Sequence, residues 1–390
     1  MEFARRLAPL RSNVFADMDR AKAKAIASGR ELIDLALGSS DRAASPFVLD
    51  EISRSLSDSS THQYLLFHGT ADFRKAAATW YEKKYGIAVD PETEVLPLIG
   101  SQEGTAHLPL AILNPGDFAL LMDPGYPSHM GGVYLASGQI HPMPLREENG
   151  FLPVFDEIPQ AVLERAKLMV LSYPHNPTTA IAPLSFFQEA VAFCQQHSLV
   201  LVHDFPYGDM VFDGSQPPSI FAADTEKSIS IEFFTLSKSY NMGGFRIGYA
   251  IGNAELILAL RQVKAAIDFN QYKGILNGAI AALTGPQDVV KETIATFKER
   301  RDAFVNAMEN IGWPVPKPTA TMYIWAKLPP QWQQDSIGFC TQLVQETGVA
   351  ASPGVGFGKA GEGYVRFALV RDRDILEEAV SRIDRFLRNG

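Results

Sequence analysis

Lys238 sits just past an apolar, β-rich run (Ile229, Ile231, Phe233, Phe234, Leu236), and the hydroxyls of Ser237 and Ser239 flank it. Arg246 follows within a glycine-rich turn that leads into a second apolar run, 247–251. An amine at the end of a buried strand loses hydration, which disfavours its charged form. An uncharged amine is a nucleophile that condenses with aldehydes. A nearby arginine and hydroxyls offer donors to a dianionic phosphate. Taken alone, the same residues also suit a surface lysine beside a helix-capping serine.

The elements that must position this lysine repeat a pattern. Short apolar runs alternate with helix-like stretches, which predicts a mainly parallel sheet with helices on both faces. Ligands of such sheets bind beyond the carboxyl ends of the strands. Gly100, Asp123, Ser172–Asn176, Asp204 and Ser237–Lys238 all fall at predicted strand ends, so residues far apart in sequence converge on one crevice. Val95 to Gly100 followed by Ser101-Gln102-Glu103-Gly104 reads as a strand, a glycine turn and a helix start, whose N–H groups and dipole suit an anion. It is not a Walker loop, because no Gly-Lys-Ser/Thr follows. Asp204 ends a continuous apolar strand, 199–204, where a carboxylate is costly unless paired. An amine for an aldehyde, donors for a phosphate and an acid for a ring nitrogen are together what pyridoxal 5′-phosphate (PLP) requires.

Composition bounds the remaining choices. At 390 residues the chain exceeds the usual size of one hydrophobic core, so two domains are expected. A net charge of −9 argues against nucleic acid as a partner. Cys194 and Cys340 are widely separated and read as small core residues in a reducing compartment, with no metal site. No apolar run approaches about 18 residues, so no membrane span is expected. The N-terminal stretch lacks a signal-peptide core, and a cytoplasmic enzyme is the expectation.

Further elements follow from periodicity and turn residues. Helices are expected over 15–28, 72–85, 101–113, 255–282, 289–310 and 374–387. Strands are expected over 31–38, 118–123, 168–174, 321–328 and 364–369. The glycine-rich run 354–363 has no helix pattern directly after it and reads as a flexible hairpin-type loop. His68 and His203 read as structural rather than catalytic.

The segment Ser237-Lys-Ser-Tyr-Asn-Met-Gly-Gly-Phe-Arg-Ile-Gly-Tyr249 resembles the PLP-lysine signature of the class I and II aminotransferases, the aspartate aminotransferase superfamily of fold type I. Lysine, arginine and glycines fall in register. The family more often has Thr-Gly-Trp where this chain has Gly243-Gly244-Phe245. The resemblance runs from about residue 13 to 388. Gly-Ser-Gln-Glu-Gly, Asp-Pro-Gly-Tyr-Pro and Asp213-Gly with Pro217-Pro-Ser-Ile220 are closest to the branch of LL-diaminopimelate, alanine and aspartate aminotransferases.

The resemblance implies a large PLP-binding α/β domain, 41–280. It also implies a smaller α+β domain built from both termini, 1–40 and 281–390. It assigns Lys238 to the cofactor aldehyde and Asp204 to the pyridine nitrogen. Asn176 and Tyr207 fall to the phenolic oxygen, and Tyr126 to the ring face. Ser101, Gln102, Ser237 and Arg246 fall to the phosphate. Arg366 matches the arginine that holds the substrate α-carboxylate, and Gly38 lies against the same group. The family's Gly-Asp-Pro is Gly38-Ser39-Ser40 here, and Thr179 replaces the glycine of its Asn-Pro-Thr-Gly.

Tyr64 matches the tyrosine that reaches the phosphate of a neighbouring subunit's cofactor, which implies a homodimer. The implied activity is a ping-pong transfer of an amino group from an L-amino acid to a 2-oxo acid such as 2-oxoglutarate. Candidate donors are LL-diaminopimelate, aspartate, alanine and glutamate. Two rivals remain: a carbon–sulfur lyase of the same fold, and an aminotransferase-like ligand-sensing regulator. A dicarboxylic donor would need a second cation, for which Arg42, Lys264 and Lys273 are candidates.

Overall fold

The computed structural model describes residues 3–10, 14–214 and 216–389. The first two residues of the N-terminal stretch read above lie outside these. In chain order the strands are β1 (Ile33–Asp34), β2 (Val95–Leu98), β3 (Phe118–Asp123), β4 (Gln139–Pro144), β5 (Ala166–Leu171) and β6 (Val200–Asp204). They continue as β7 (Ser230–Thr235), β8 (Gly248–Gly252), β9 (Tyr323–Lys327), β10 (Val349–Ala350), β11 (Ser352–Pro353) and β12 (Tyr364–Ala368). The helices are α1 (Val14–Ala27), α2 (Pro46–Leu56), α3 (Ala71–Tyr85), α4 (Ser101–Ile112), α5 (Pro127–Leu135) and α6 (Gln160–Leu163). Then come α7 (Leu184–Gln196), α8 (Ala254–Ile267), α9 (Lys273–Thr284), α10 (Asp288–Asn310), α11 (Ser336–Thr347) and α12 (Arg373–Asn389).

Seven strands form one sheet in the order β2-β8-β7-β6-β5-β3-β4. The pairs from β7 through β4 are parallel, and β8 alone runs against its neighbours. The central strands are continuous apolar runs because helices cover both faces. Two apolar clusters result. One contains Leu120, Met169, Leu201 and Phe234, and the other contains Leu121, Val170, Val202 and Phe233. The side chains alternate between them, as a strand's period of two requires.

Prolines sit at the two sheet edges, Pro97 in β2 and Pro142 and Pro144 in β4. An edge tolerates a missing N–H, and a central strand does not. No strand is expected at 139–144 from the sequence.

A third cluster joins both ends of the chain. Met18, Ala21 and Ala25 of α1 pack with Leu35, Phe297, Phe304, Leu343, Phe367 and Ile383. The three-stranded sheet β11-β12-β9 and the parallel pair β1–β10 lie here. The architecture is therefore α/β, a mainly parallel sheet flanked by helices plus a smaller α+β part drawn from both termini.

Three expectations need correction. The strand expected over 31–38 is only two residues long, because only Ile33 and Asp34 find a partner strand, β10. The helix expected over 255–282 is two helices. Phe269 adopts a left-handed conformation at φ 63°, and Asn270 and Gln271 donate to Leu65 O and Leu98 O at 2.9 and 3.1 Å.

The glycine-rich run does connect the antiparallel strands β11 and β12, but it folds into tight turns that are anchored rather than flexible. Asp123 at the end of β3 accepts from Ala360 N at 3.0 Å, and Gly125 N donates to Phe357 O at 2.8 Å. Burial pushes the Asp123 carboxyl up in pKa.

Candidate active site

A cavity of about 640 Å³ opens beyond the carboxyl ends of the main sheet, between it and the cluster built from both termini. Every site residue expected from sequence lines it except Tyr64. Tyr64 is 93 % exposed and stands apart from the others within one chain.

Asp204 ends β6 at 4 % exposure. Its Oδ2 accepts from His129 Nε2 at 2.9 Å, while Oδ1 is buried and has no partner among the described residues. A buried carboxylate oxygen without a donor is costly. A ligand bearing an N–H, above all a cationic ring N–H, would satisfy it. Sequence reasoning missed His129. It lies three residues after Tyr126 on α5, with the two rings 5.7 Å apart edge to face, and a lone histidine in a helix carries little signal. Tyr126 is the N-cap residue of that helix, and its hydroxyl lies 3.4 Å from Gln102 Oε1.

Lys238 follows β7. Its Nζ donates to Gly38 O at 2.7 Å and lies 5.6 Å from the centre of the Tyr207 ring. The chain must pass very close at Gly38: a Cβ there would come 2.7 Å from the Tyr323 ring. Tyr207 and Tyr323 share a 2.8 Å hydrogen bond, and both are buried. Burial holds the Tyr207 phenol well above its ordinary pKa. Burial would do the same to Tyr323, but the charges of Lys238 and Arg366 and the bond to Tyr207 outweigh it and lower its pKa. Either hydroxyl can be the donor in the bond they share. Tyr323 went unnoticed in the sequence because it sits in an ordinary aromatic strand.

Arg366 of β12 enters from the other side. It donates to Asn176 Oδ1 at 2.8 Å, to Ala36 O at 2.6 Å and to Ser352 Oγ at 3.4 Å. Its guanidinium carbon lies 4.2 Å from the Tyr323 ring centre and 4.6 Å from that of Phe357. Held between two rings, it keeps a buried Nε–H without a partner. With Asn176 Oδ1 engaged, the amide Nδ2 is the group left to donate into the cavity.

The anion cup lies opposite. Gly100, at φ 73°, precedes the N-terminus of α4, where Ser101 and Gln102 begin the helix. A side chain at Gly100 would strike the Arg246 guanidinium, so glycine here lets arginine and helix N-terminus share one anion. Arg246 is itself left-handed at φ 52° and donates to Gly243 O at 3.0 Å. Ser237 Oγ accepts from Thr235 Oγ1 at 2.8 Å.

Behind the cup, Glu103 accepts from Ile99 N and from Lys264 Nζ, the latter at 2.6 Å. This buried pair braces the turn. It also removes Lys264 as a cation for substrate. Arg42, which donates to Thr296, and Lys273 do not line the cavity either. Among the described residues Glu103, His107 and Asp268 have metal-ligand spacing, but the Lys264 ammonium stands among them, 3.7 Å from Asp268.

His68, His175 and His203 lie apart from the cavity, and the two cysteines lie in the core. His203 lies 2.6 Å from Glu232 and 2.9 Å from Tyr173 O, fully buried. Burial lowers the His175 pKa to about 3, leaving it neutral with Nδ1 2.7 Å from Thr178 Oγ1. His68 is exposed and off the cavity. Both cysteines are buried.

Residues 30–383 match the family model for aminotransferase class I and II. An LL-diaminopimelate aminotransferase of Dehalococcoides mccartyi is 43 % identical over 386 residues, 99 % of each chain. One from Moorella thermoacetica is 41 % identical, again over 99 % of each. Among solved structures, substrate-bound BacF from Bacillus subtilis superposes with a TM-score of 0.94 at 34 % identity, covering 99 % of this chain and 98 % of that one. A probable N-succinyldiaminopimelate aminotransferase from Thermus thermophilus gives 0.90 at 42 % identity, with 95 % and 99 % covered.

Proposed function

As this chain belongs to the class I and II aminotransferases and is an aminotransferase, we propose that it uses PLP to move an amino group from LL-diaminopimelate, or a chemically close L-amino acid, to a 2-oxo acid such as 2-oxoglutarate. The observation that carries the cofactor reading is the orphaned Asp204 Oδ1, buried at the floor of the cavity opposite an anion cup. The donor reading rests on the LL-diaminopimelate aminotransferases that match over nearly the whole chain. When bound, PLP supplies an aldehyde for amines and a protonated ring that withdraws electrons from the donor's Cα.

The residues then divide the work. Asp204 holds the proton on the ring nitrogen, and His129 keeps that carboxylate oriented. Ser101, Gln102, Ser237 and Arg246 hold the phosphate, and Tyr126 lies against the ring. Asn176 Nδ2 and the protonated Tyr207 donate to the phenolic oxygen. Arg366 takes the donor's α-carboxylate bidentately, with Gly38 beside it. Lys238 would hold the aldehyde, and its free amine would serve as the general base for the donor's Cα proton.

Tyr64, exposed within one chain, completes the site of a partner subunit in a homodimer. The chain divides into segment 1–40, large domain 41–280 and segment 281–390, a division supported by the apolar cluster that joins 18–35 to 297–386 and takes from the large domain only Tyr207, Met210 and Phe212 among its buried described residues. The setting is the cytoplasm. Among the described residues no helix is long and apolar enough to cross a membrane.

The test is the visible spectrum of the PLP-loaded protein on addition of single amino acids without a 2-oxo acid. Conversion to the pyridoxamine spectrum with LL-diaminopimelate supports the reading. Release of ammonia and pyruvate from a sulfur amino acid instead would establish a lyase. Lys238→Ala should abolish turnover, and near-normal turnover in that variant overturns the assignment.

A further inference from the structure

Among the described residues six charged side chains line the cavity: Asp19, Lys22, Asp204, Lys238, Arg246 and Arg366. The last four have roles in the reading above. The two left over are of opposite sign and sit three residues apart on α1, whose Met18, Ala21 and Ala25 are buried and fix the helix against the cluster below. Lys22 Nζ is held 3.1 Å from Asp34 Oδ2 and 2.7 Å from Asp19 Oδ1. Asp34 is fixed in turn, because its other oxygen accepts from Ala36 N at 2.9 Å. The Lys22 side chain is 18 % exposed and that of Asp19 is 71 % exposed. Lys22 is thus anchored at the cavity wall, while Asp19 is free to change partner. An ion pair with one solvent-exposed member is held weakly, so exchanging that member for a ligand group costs little.

We propose that Asp19 and Lys22 form a subsite for the far end of a diaminodicarboxylate donor, Lys22 taking its distal carboxylate and Asp19 its distal ammonium. The proposal rests on the donor reading above and on Arg366 holding the near end. Its physical basis is charge matching. A distal group carrying one ammonium and one carboxylate presents each member of the pair with its complement. A side chain ending in a carboxylate alone, as in glutamate, meets Lys22 but also the repulsion of Asp19 and of Asp34 behind it. A methyl side chain, as in alanine, meets neither. Sequence position gave no hint of this, since Asp19 and Lys22 lie over two hundred residues before Lys238.

The experiment compares three donors in the PLP-loaded enzyme: LL-diaminopimelate, L-2-aminopimelate (which lacks the distal amine) and L-alanine. Asp19→Asn is expected to erase the preference for LL-diaminopimelate over L-2-aminopimelate. Lys22→Gln is expected to weaken both by about tenfold in kcat/KM, mainly through KM, since such contacts are made equally in ground and transition states. Alanine should be unaffected by either. Equal losses with all three donors, or unchanged kinetics with LL-diaminopimelate, overturn the subsite. Failure of the wild-type enzyme to use LL-diaminopimelate while it uses alanine overturns the donor reading, and the subsite with it.

Discussion

Two buried carboxylates sit one strand apart in the main sheet and are treated in opposite ways. Glu232 of β7 is fully buried and accepts four hydrogen bonds, from His203 at 2.6 Å and from Tyr81, Ser219 and Ile220 N at 3.0 Å each. Asp204 of β6 is nearly as buried, yet it accepts from His129 alone and leaves Oδ1 empty. The register places His203 opposite Glu232 and Asp204 opposite Phe233, one residue closer to the strand end. A carboxylate whose lone pairs are filled by the protein is a structural anchor. One left half-filled at the buried end of a cavity is held in readiness for a ligand, at some cost in stability.

The comparison breaks if the two acids respond alike to mutation. Glu232→Ala strips a buried network of its only acid and leaves four polar groups facing no acceptor. It should destabilise the protein without added cofactor by about 3–5 kcal/mol, read from urea unfolding. Asp204→Asn keeps the shape and one acceptor. It should shift the same unfolding curve by less than about 1 kcal/mol. Its effect belongs in the chemistry, where losing the charge aimed at the ring nitrogen should lower turnover by about 10²–10³-fold. An Asp204→Asn variant as unstable as Glu232→Ala would make Asp204 structural too.

The half-filled acid was legible in the sequence because of where it falls. Parallel strands covered on both faces appear as uninterrupted apolar runs, and a polar residue closing such a run is conspicuous. Asp204, Asn176, Lys238 and Gly100 stand out that way, Arg246 stands out beside Lys238, and the family resemblance supplied the role of Arg366. What stayed hidden depends on topology. His129 becomes a partner only once β3 and β6 are known to share a sheet. The break at 268–272 is held by Asn270 and Gln271 donating to distant carbonyls, which the local helix pattern cannot register. Asp19 and Lys22 reach the cavity because β1 pairs with β10, more than three hundred residues away. Edge strand β4 hid behind its prolines.

A pair of buried histidines extends the contrast to pH. His203 has both ring nitrogens within hydrogen-bonding distance of oxygen, whereas His175 has Nε2 buried and unpartnered. Burial drives the His175 pKa down from the ordinary 6.5 to about 3, and the neighbouring His129 adds to the shift. Between those values the unfolded chain binds a proton that the folded chain refuses, so stability must fall as pH falls through that window and be fully present above it. Each pH unit is worth about 1.4 kcal/mol, so going from pH 6.5 to 5 should remove about 2 kcal/mol through this one group. His175→Gln removes the titrating ring while keeping an amide that can still meet Thr178. Urea unfolding at pH 7 and pH 5 should show the wild-type protein losing about 2 kcal/mol more than the variant does. An identical loss in both would mean that His175 takes up its proton in the folded protein, and that the unpartnered nitrogen has an acceptor within reach.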